Sequence, residues 1–322
     1  MTVPARLERQ LKFGGTHQSL IDVLVTGGTY IDRVCLVGSE PLPGHSIEIR
    51  EEAEILGGPG LCLALAFRRL GNSVGLATAL ASCDASKRAA VLLAAEGISL
   101  LGCTSTGSLD RSHIYVGPTG ERIVFNSHSL SGGTDYAELT TGVAGSAKVI
   151  AIASPTPMSA ASRIAEEAGS FTPVAMLLHT TQLREVINGY ADIPARVDLI
   201  CMAETDVDVV GGLLPAREGA LVVTTKGSRG AAAQIIGGGL PVEFRQSNVV
   251  ATANANGAGE AFFAGLISWL IINSANTDWP PPMAELGRAI EYANNYAAAH
   301  ILAGADLAFP AVAVTGGDAH EA

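Results

Sequence analysis

The chain of 322 residues is long enough for one large α/β domain, and its net charge at pH 7 is −11. Hydrophobic residues make up 48% and charged residues 16%, proportions that favour a large buried core and exclude a disordered chain. The acidic balance, without any dense cluster of Lys or Arg, argues against a nucleic-acid partner, which would need a basic face.

Cysteine spacing and hydropathy predict a cytoplasmic protein without a membrane partner. The five cysteines are widely spaced and form no Cys-x-x-Cys pair, so reduced thiols are expected instead of a disulfide framework or a zinc site. Residues 1–20 are polar and lack the apolar stretch of a signal peptide. The longest apolar run, residues 265–272, is too short to cross a bilayer.

Strands and helices are predicted to alternate along most of the chain. After the polar N-terminus, residues 21–25 form a buried strand that runs into Thr26-Gly27-Gly28. The later elements are strand 74–80, helix 85–96, strand 148–153, helix 159–168, strands 174–178, 199–201 and 220–225, and helices 259–272 and 286–302. This alternation predicts βαβ units in an α/β fold, with a doubly wound, mostly parallel sheet that carries helices on both faces.

Two segments, near residues 45–56 and 111–126, interrupt that alternation. Apolar and charged residues alternate in the first, and the second is predicted to be a hairpin around Pro118-Thr119-Gly120. We expect antiparallel strands outside the main sheet, forming a small β-strand lid over a cleft; surface hairpins without a function are the alternative. The predicted organisation is an N-terminal tail (1–20), an α/β domain that includes the lid (21–310) and a C-terminal tail (311–322).

Three glycine-rich segments stand where a ligand can approach the backbone. Gly57-Gly58-Pro59-Gly60 precedes an apolar helical run, and glycines at a helix start allow close approach to free N–H groups. Residues 225–230 follow a strand, and ligands of parallel sheets bind beyond the carboxyl ends of strands. Residues 256–259 lead into a helix, whose first turn attracts anions. Each segment alone is also typical of an ordinary turn.

Taken together, these segments resemble the signatures of the ribokinase-like (PfkB-type) carbohydrate kinases, over residues 22–310. Residues 57–71 are similar to the family's GGxGxNxA signature and the LG that follows it. Residues 222–230 resemble its nucleotide loop, and residues 254–265 its second signature, DTTGAGDxFxAG. Residues 293–310 are similar to the adenine-side end of the fold.

The resemblance implies an ATP-dependent kinase that phosphorylates a hydroxyl of a sugar, nucleoside or similar small alcohol, with Mg²⁺ carried by the nucleotide. Such transfer depends on positioning and charge stabilisation. The resemblance assigns the substrate to Asp32, Gly57, Gly58 and Cys62, the nucleotide to Thr225, Gly227, Gly230 and Asn294, the anion hole to Gly257, Ala258 and Gly259, the catalytic base to Glu260 and the organisation of Mg²⁺ to Asp206. Lys226 and Arg229 are candidate phosphate contacts, with solvated loop charges as the alternative.

Several positions depart from the family signatures where the chemistry is expected. Glu260 replaces the catalytic Asp, and its extra methylene moves the carboxylate by about 1 Å, a displacement that can cost on the order of 100-fold in rate. The other departures are Cys62 for the first-signature Asn, Asn254 and Asn256 for an Asp and a Thr of the second signature, and Ala203 with Asp206 for the two ends of an NxxE motif.

These departures leave alternatives to an active kinase. The first is a catalytically inactive pseudokinase that keeps the fold and acts as a ligand-binding or protein-interaction module. A Rossmann-type oxidoreductase is suggested by the strand before Gly27-Gly28, but the GxGxxG spacing is missing. The exposed edges and apolar faces of the lid strands predict a homodimer that forms through the lid.

Overall fold

A computed structural model describes residues 21–40, 42, 44–120, 122–169, 172–189, 196–209, 216–246, 255–273 and 281–304. Asn254 and the two predicted tails, 1–20 and 311–322, lie outside the described residues. Within these ranges, no helix combines the length and the apolar character that crossing a membrane requires.

The predicted elements are present, with ends shifted by only a few residues. The strands are β1 (Ile21–Thr26), β2 (Tyr30–Val37), β3 (Ile49–Gly57), β4 (Val74–Ala81), β5 (Ser99–Ser105), β6 (Asp110–Val116), β7 (Arg122–Ser127), β8 (Ala147–Ile152), β9 (Val174–Leu177), β10 (Leu199–Ala203), β11 (Leu221–Thr225), β12 (Ala231–Ile235) and β13 (Val242–Phe244). The helices are α1 (Pro59–Arg69), α2 (Asp84–Ala95), α3 (Tyr136–Thr140), α4 (Met158–Glu167), α5 (Thr180–Ile187), α6 (Glu204–Val209), α7 (Ala258–Asn273) and α8 (Met283–Leu302). The sequence patterns did not predict β2, β5, β12, β13 or the short helices α3, α5 and α6.

A nine-stranded sheet forms the body of the described structure, in the order β13-β12-β11-β10-β9-β8-β1-β4-β5. The strands from β11 to β5 pair in parallel, and β12 and β13 extend the sheet as antiparallel strands. Its central strands are apolar on both faces, as is usual for a parallel sheet covered on two sides. The predicted mostly parallel, doubly wound α/β fold is confirmed.

Each face of this sheet is covered by its own helices and core. Alternate residues of β1 point to opposite faces, so Val23 and Val25 join one core and Leu24 the other. Helices α1, α7 and α8 cover the first face, and α3, α4 and α5 cover the second. Helix α7 is buried almost all round because it lies between the sheet, α1 and α8, which explains its apolar sequence.

A second sheet of four strands, in the order β3-β2-β6-β7, lies outside the main sheet. The predicted hairpin is present as the antiparallel pair β6 and β7, and β3 pairs antiparallel with β2. Both predicted segments are therefore antiparallel strands, as expected, and the unpredicted strand β2 joins them by pairing in parallel with β6. Every second residue of β6 is buried, so one face of this sheet is turned towards the body. This arrangement fits a lid.

Candidate active site at the carboxyl edge of the sheet

Most of the predicted site residues lie on loops and element ends near the carboxyl edge of the parallel strands, whereas Asp32, Cys62 and Asn294 lie within β2, α1 and α8. The glycine turn after β11 and the end of β10 belong to that edge. The two glycine-rich helix starts, at α1 and α7, face it from the helices that cover the first side of the sheet. Ligands of open parallel sheets bind at this edge.

Asp32 and Gly57 are in contact on neighbouring lid strands. Asp32 lies in β2 and is only 5% exposed. A Cβ atom on Gly57, at the end of β3, would overlap the Asp32 Oδ2 atom. Glycine at position 57 therefore leaves the space that the Asp32 carboxylate occupies. The structure brings these two predicted substrate residues together, and their binding role stays a prediction.

The backbone at the start of α1 approaches the β1–β2 loop instead of leaving its amides open. Gly58 has a φ of +96°, and a Cβ there would lie 2.6 Å from the Gly28 carbonyl oxygen. That carbonyl accepts hydrogen bonds from the amides of Gly60 (2.9 Å) and Leu61 (3.4 Å). The expectation of free N–H groups at this helix start was therefore wrong for Gly60 and Leu61, since the carbonyl of Gly28 caps them.

Cys62 lies in the core between α1 and the sheet and is 5% exposed. It lies near the start of α1, where residues 60–67 are all buried. This burial favours a structural role for the thiol, and its assignment to the substrate stays a prediction. Asn294, assigned to the nucleotide, is likewise buried in α8.

The predicted nucleotide loop is the turn between β11 and β12. Gly227 and Gly230 have φ angles of +57° and +99°, and the Lys226 amide donates to the Gly230 carbonyl at 2.8 Å. A Cβ on Gly230 would overlap the Phe244 carbonyl oxygen, so only glycine fits. Thr225, the last residue of β11, donates its hydroxyl to the Met202 carbonyl at 3.4 Å.

The two cationic side chains of this loop are engaged by carboxylates. The ammonium of Lys226 lies 2.5 Å from Glu243 and 3.9 Å from Glu204. Arg229 forms an ion pair with Glu204, which begins α6. The positive charge expected to attract phosphate is thus balanced within the loop and its neighbours.

The turn before α7 leaves two amides for an anion. Gly257 has a φ of +78°, and the Ala258 amide donates to the Ala255 carbonyl at 3.2 Å. The amides of Gly259 and Glu260 make no hydrogen bond to another described residue, as expected in the first turn of a helix. Of the predicted anion-hole residues, Ala258 therefore uses its amide N–H in a hydrogen bond within the turn. The amide N–H of Gly259 has no partner among the described residues.

Glu260 is half-buried beside the sheet. Its charge contributes, after burial, to raising the pKa of the Cys201 thiol in β10 above its usual value. Such an effect requires the carboxylate and the thiol to be near one another, because Coulomb energies fall with distance. Glu260, in the first turn of α7, is therefore near β10, and its role as the base stays a prediction.

The described residues do not assemble a protein cage for Mg²⁺. Asp206 is 8% exposed, and its Oδ1 atom accepts a hydrogen bond from the Thr180 hydroxyl at 2.6 Å. Ala203 ends β10 and offers no ligand atom. No group of three or more His, Cys, Asp or Glu side chains that could hold a metal occurs among the described residues. The role of Asp206 in organising Mg²⁺ stays a prediction.

Asn256 joins the turn before α7 to two other elements, which sequence reasoning did not foresee. Its Oδ1 atom accepts a hydrogen bond from Arg122, at the start of β7, at 3.3 Å. Its backbone carbonyl accepts one from the Nε2 atom of His300, in α8, at 2.8 Å. The glycine pattern of the turn could suggest a ligand site, but nothing in the sequence indicated that a lid arginine would reach it.

A second unforeseen contact lies where the lid joins the body. The Tyr30 hydroxyl, at the start of β2, lies 2.8 Å from the Nδ1 atom of His128, which follows β7. The Tyr30 ring packs beside Gly28 and Gly58. The pair therefore connects the start of β2 and the end of β7 to the loops that contain Gly28 and Gly58.

Comparison with solved structures shows a shared fold over nearly the whole chain. A ribokinase from Giardia lamblia has a TM-score of 0.72 and 16% identity, with 91% of this chain and 96% of that chain covered. A ribokinase from Thermotoga maritima has a TM-score of 0.70 and 15% identity, with 91% and 97% covered. An Arabidopsis thaliana ribokinase, complexed with ribose and ATP, has a TM-score of 0.65 and 15% identity, with 90% and 96% covered.

The family assignment comes from the sequence itself. A search of curated proteins found no match. The family model described as "pfkB family carbohydrate kinase" matches residues 20–308, which include the lid strands, all three glycine turns and the helices that follow them. The chain therefore belongs to the pfkB family of carbohydrate kinases.

Proposed function

We propose that this protein transfers the γ-phosphoryl group of ATP to a hydroxyl of a sugar, nucleoside or similar small alcohol. The observation that carries the proposal is the start of α7, where the amides of Gly259 and Glu260 make no hydrogen bond to any other residue that the structure describes and the Glu260 carboxylate is half-buried. Membership of a carbohydrate kinase family supports it. An enzyme that uses ATP is expected in the cytoplasm.

In this reaction the acceptor oxygen forms a bond to the γ-phosphorus, and the bond from that phosphorus to the bridging oxygen breaks, which releases ADP. The hydroxyl proton passes to the Glu260 carboxylate. The open amides of Gly259 and Glu260 stabilise the charge that develops on the transferred group. Asp32 accepts hydrogen bonds from hydroxyls of the acceptor and orients it, and Gly57 and Gly58 allow the backbone to approach it.

Thr225, Gly227, Gly230 and Asn294 would line the nucleotide. Mg²⁺ would neutralise charge on the β- and γ-phosphates when bound with ATP. The described residues offer no cage for the ion, so its ligands would be mainly phosphate oxygens and water, as is usual for Mg²⁺ with nucleotides. No step that involves residues of this chain depends on a metal ligand.

Substitution of Glu260 tests the proposal. Glu260→Gln removes the base and is expected to lower kcat by a factor on the order of 10²–10⁴, without abolishing ATP binding. Glu260→Asp keeps a carboxylate, retains activity and shows whether the shorter acid of the family signature is faster here. Turnover is measured as Mg-dependent release of ADP with a panel of sugars and nucleosides. Absence of turnover with every acceptor would reject the kinase.

A pseudokinase is the second candidate. It is favoured because Glu204 neutralises the two basic side chains of the nucleotide loop that were expected to attract phosphate. Glu204 engages both Arg229 and Lys226, Ala203 provides no ligand, and Asp206 is held by Thr180. Such a protein would bind ATP or a sugar without transferring phosphate. Ligand binding to the folded state raises apparent stability, so thermal shifts with ATP and no turnover would support this candidate.

A further inference from the structure

Strand β2 carries Tyr30 and Asp32 on the same face of the lid sheet. They are two residues apart in an extended strand, so their side chains project to one side, about 7 Å apart along the strand. Tyr30 is 2% exposed and Asp32 is 5% exposed. A Cβ atom on Gly57, which is opposite Tyr30 in β3, would overlap the Asp32 carboxylate on this face. Tyr30 therefore lies beside the carboxylate that is predicted to hold the acceptor.

The Tyr30 hydroxyl holds the imidazole of His128, which follows β7. Its oxygen lies 2.8 Å from the Nδ1 atom, and the two ring centroids are 5.5 Å apart. A buried hydroxyl needs an acceptor for its hydrogen, and we assign Tyr30 as the donor to Nδ1. Burial lowers the pKa of His128, so its ring is neutral at pH 7 and carries its proton on Nε2.

Asp110 fixes the segment that follows His128. It accepts hydrogen bonds from the amides of Leu130 and Ser131, at 2.8 Å each, and from the Ser129 hydroxyl at 3.3 Å. The Nε2 atom of His128 is buried and has no hydrogen-bond partner among the described residues. Because a buried N–H group without a partner is costly, an orphaned donor of this kind is typical of a position where a ligand or an ordered water binds.

We infer that His128 is a specificity-determining residue of the acceptor site, which donates from Nε2 to an oxygen of a polyhydroxylated acceptor. The inference rests on the proposed function and deepens it, by assigning the acceptor class. An ionised Asp32 only accepts hydrogen bonds, whereas the Nε2–H group only donates, so the two groups recognise different oxygens of one molecule. Their separation is comparable with the length of one monosaccharide. A sugar-sized polyol satisfies both groups, and a monohydric alcohol satisfies only one.

Substitutions of His128 separate the roles of its two ring nitrogens. The polar atoms of an Asn side chain lie near the position of Nδ1, and the end of a Gln side chain reaches the position of Nε2. His128→Asn therefore keeps a partner for Tyr30 and removes the donor. We expect it to raise the KM for the acceptor about tenfold or more without changing the affinity for ATP, and His128→Gln to recover part of the loss.

Two further variants complete the comparison. Tyr30→Phe keeps the imidazole but removes the hydroxyl that orients it, so an intermediate rise in KM is expected. His113→Gln is the matched control, since His113 lies in β6 but outside its buried row, and it should leave the KM unchanged. Steady-state assays use the best acceptor from a panel of sugars, nucleosides and simple alcohols. Calorimetry measures the Kd of that acceptor without ATP, and urea unfolding measures the stability of each variant.

Each result decides between alternatives. If His128→Asn lowers only the free energy of unfolding, or raises the KM no more than His113→Gln, the inference is wrong and Nε2 meets water alone. A wild-type protein that prefers a monohydric alcohol contradicts the inference but not the kinase. If the wild-type protein binds a sugar but transfers nothing, the kinase proposal fails, while weaker sugar binding by His128→Asn still supports the contact. A wild-type protein that binds no member of the panel overturns both.

Discussion

Gly57 shows how one missing side chain shapes the candidate substrate site. Its backbone lies in a strand with an ordinary conformation, so the requirement for glycine is steric and not conformational. The Asp32 carboxylate occupies the volume that a Cβ would fill. A single methyl group at this position would therefore displace the Asp32 carboxylate, which is predicted to contact the acceptor.

Gly57→Ala is expected to displace the Asp32 carboxylate and to raise the KM for the acceptor about tenfold or more, with a smaller effect on ATP. The physical reason is the overlap between the new methyl group and Oδ2, which a buried side chain cannot relieve freely. Gly133→Ala is the matched control, since a Cβ there meets no atom within 4 Å. Equal KM values for wild type and Gly57→Ala would contradict the assignment of Asp32.

We expect His128, which contacts Tyr30 where the lid joins the body, to make the lid attachment sensitive to pH. Burial lowers the pKa of His128 below its ordinary value of 6.5, although the charge of Asp110 opposes this effect. The histidine of the unfolded chain then binds a proton more readily than that of the folded chain. The contribution of neutral His128 to the free energy of unfolding is therefore fully present above pH 6.5 and is lost as the pH falls towards the lowered pKa.

His128→Gln should therefore reduce the loss of stability on acidification. Urea unfolding at pH 7.5 and pH 5.5 gives the difference in free energy of unfolding for each protein, and the wild-type difference is expected to be larger. A wild-type difference equal to that of His128→Gln would show that this histidine does not respond to pH in the fold.

At the scale of elements, the contact between α7 and α8 positions the candidate anion hole. Both helices cover the same face of the sheet, and a Cβ on Gly265 would lie 3.0 Å from the Cα of Ala293. This close approach keeps α8 near the turn before α7, where His300 holds the Asn256 carbonyl. Gly265 in α7 thus supports the hydrogen bond between His300 and Asn256, which lies nine residues before Gly265 in the chain.

Gly265→Leu is expected to push these helices apart and to lower the free energy of unfolding by about 1–3 kcal/mol, or more if the core cannot repack. Ala284→Leu introduces the same side chain at an exposed position of α8. It should change the free energy of unfolding by less than about 0.5 kcal/mol. Chemical denaturation of both variants provides the measurement. Equal stability of the two would mean that the helix contact is looser than the structure shows.

At the scale of the whole molecule, the lid presents a surface that suits a second copy of the chain. Strand β7 is at the edge of the lid sheet, and Phe125 is 60% exposed in its outer row. Tyr115 packs edge-to-face on Phe125, with ring centroids 6.1 Å apart. Exposed edges with apolar side chains favour pairing, so the predicted homodimer through the lid stays our expectation.

Phe125→Glu is expected to convert this dimer to a monomer, because a buried carboxylate at the interface would be costly. Light scattering measures the mass of wild type and variant at several concentrations. Leu240→Glu, a matched substitution at a leucine that is 90% exposed outside the lid, should leave the mass unchanged. A monomeric wild-type protein would rule the dimer out.

The amino-acid sequence by itself determined the fold class and the place of the glycine turns. Hydrophobic periodicity and turn residues are local signals, so strand 220–225 was predicted close to its observed bounds, Leu221–Thr225, and helix 259–272 close to Ala258–Asn273. The resemblance to the second signature likewise predicted the turn at Gly257 from the sequence alone. The assignment of substrate and nucleotide residues came from the resemblance to a family.

Only the tertiary structure decided which groups meet. Arg122 and Asn256 are 134 positions apart, and Tyr30 and His128 are 98 apart, so no local pattern relates them. The parallel pairing of β2 with β6 and the capping of Gly60 by Gly28 depend on how separate segments pack. Periodicity specifies the conformation of a segment, whereas contacts between segments depend on the complete arrangement of the chain.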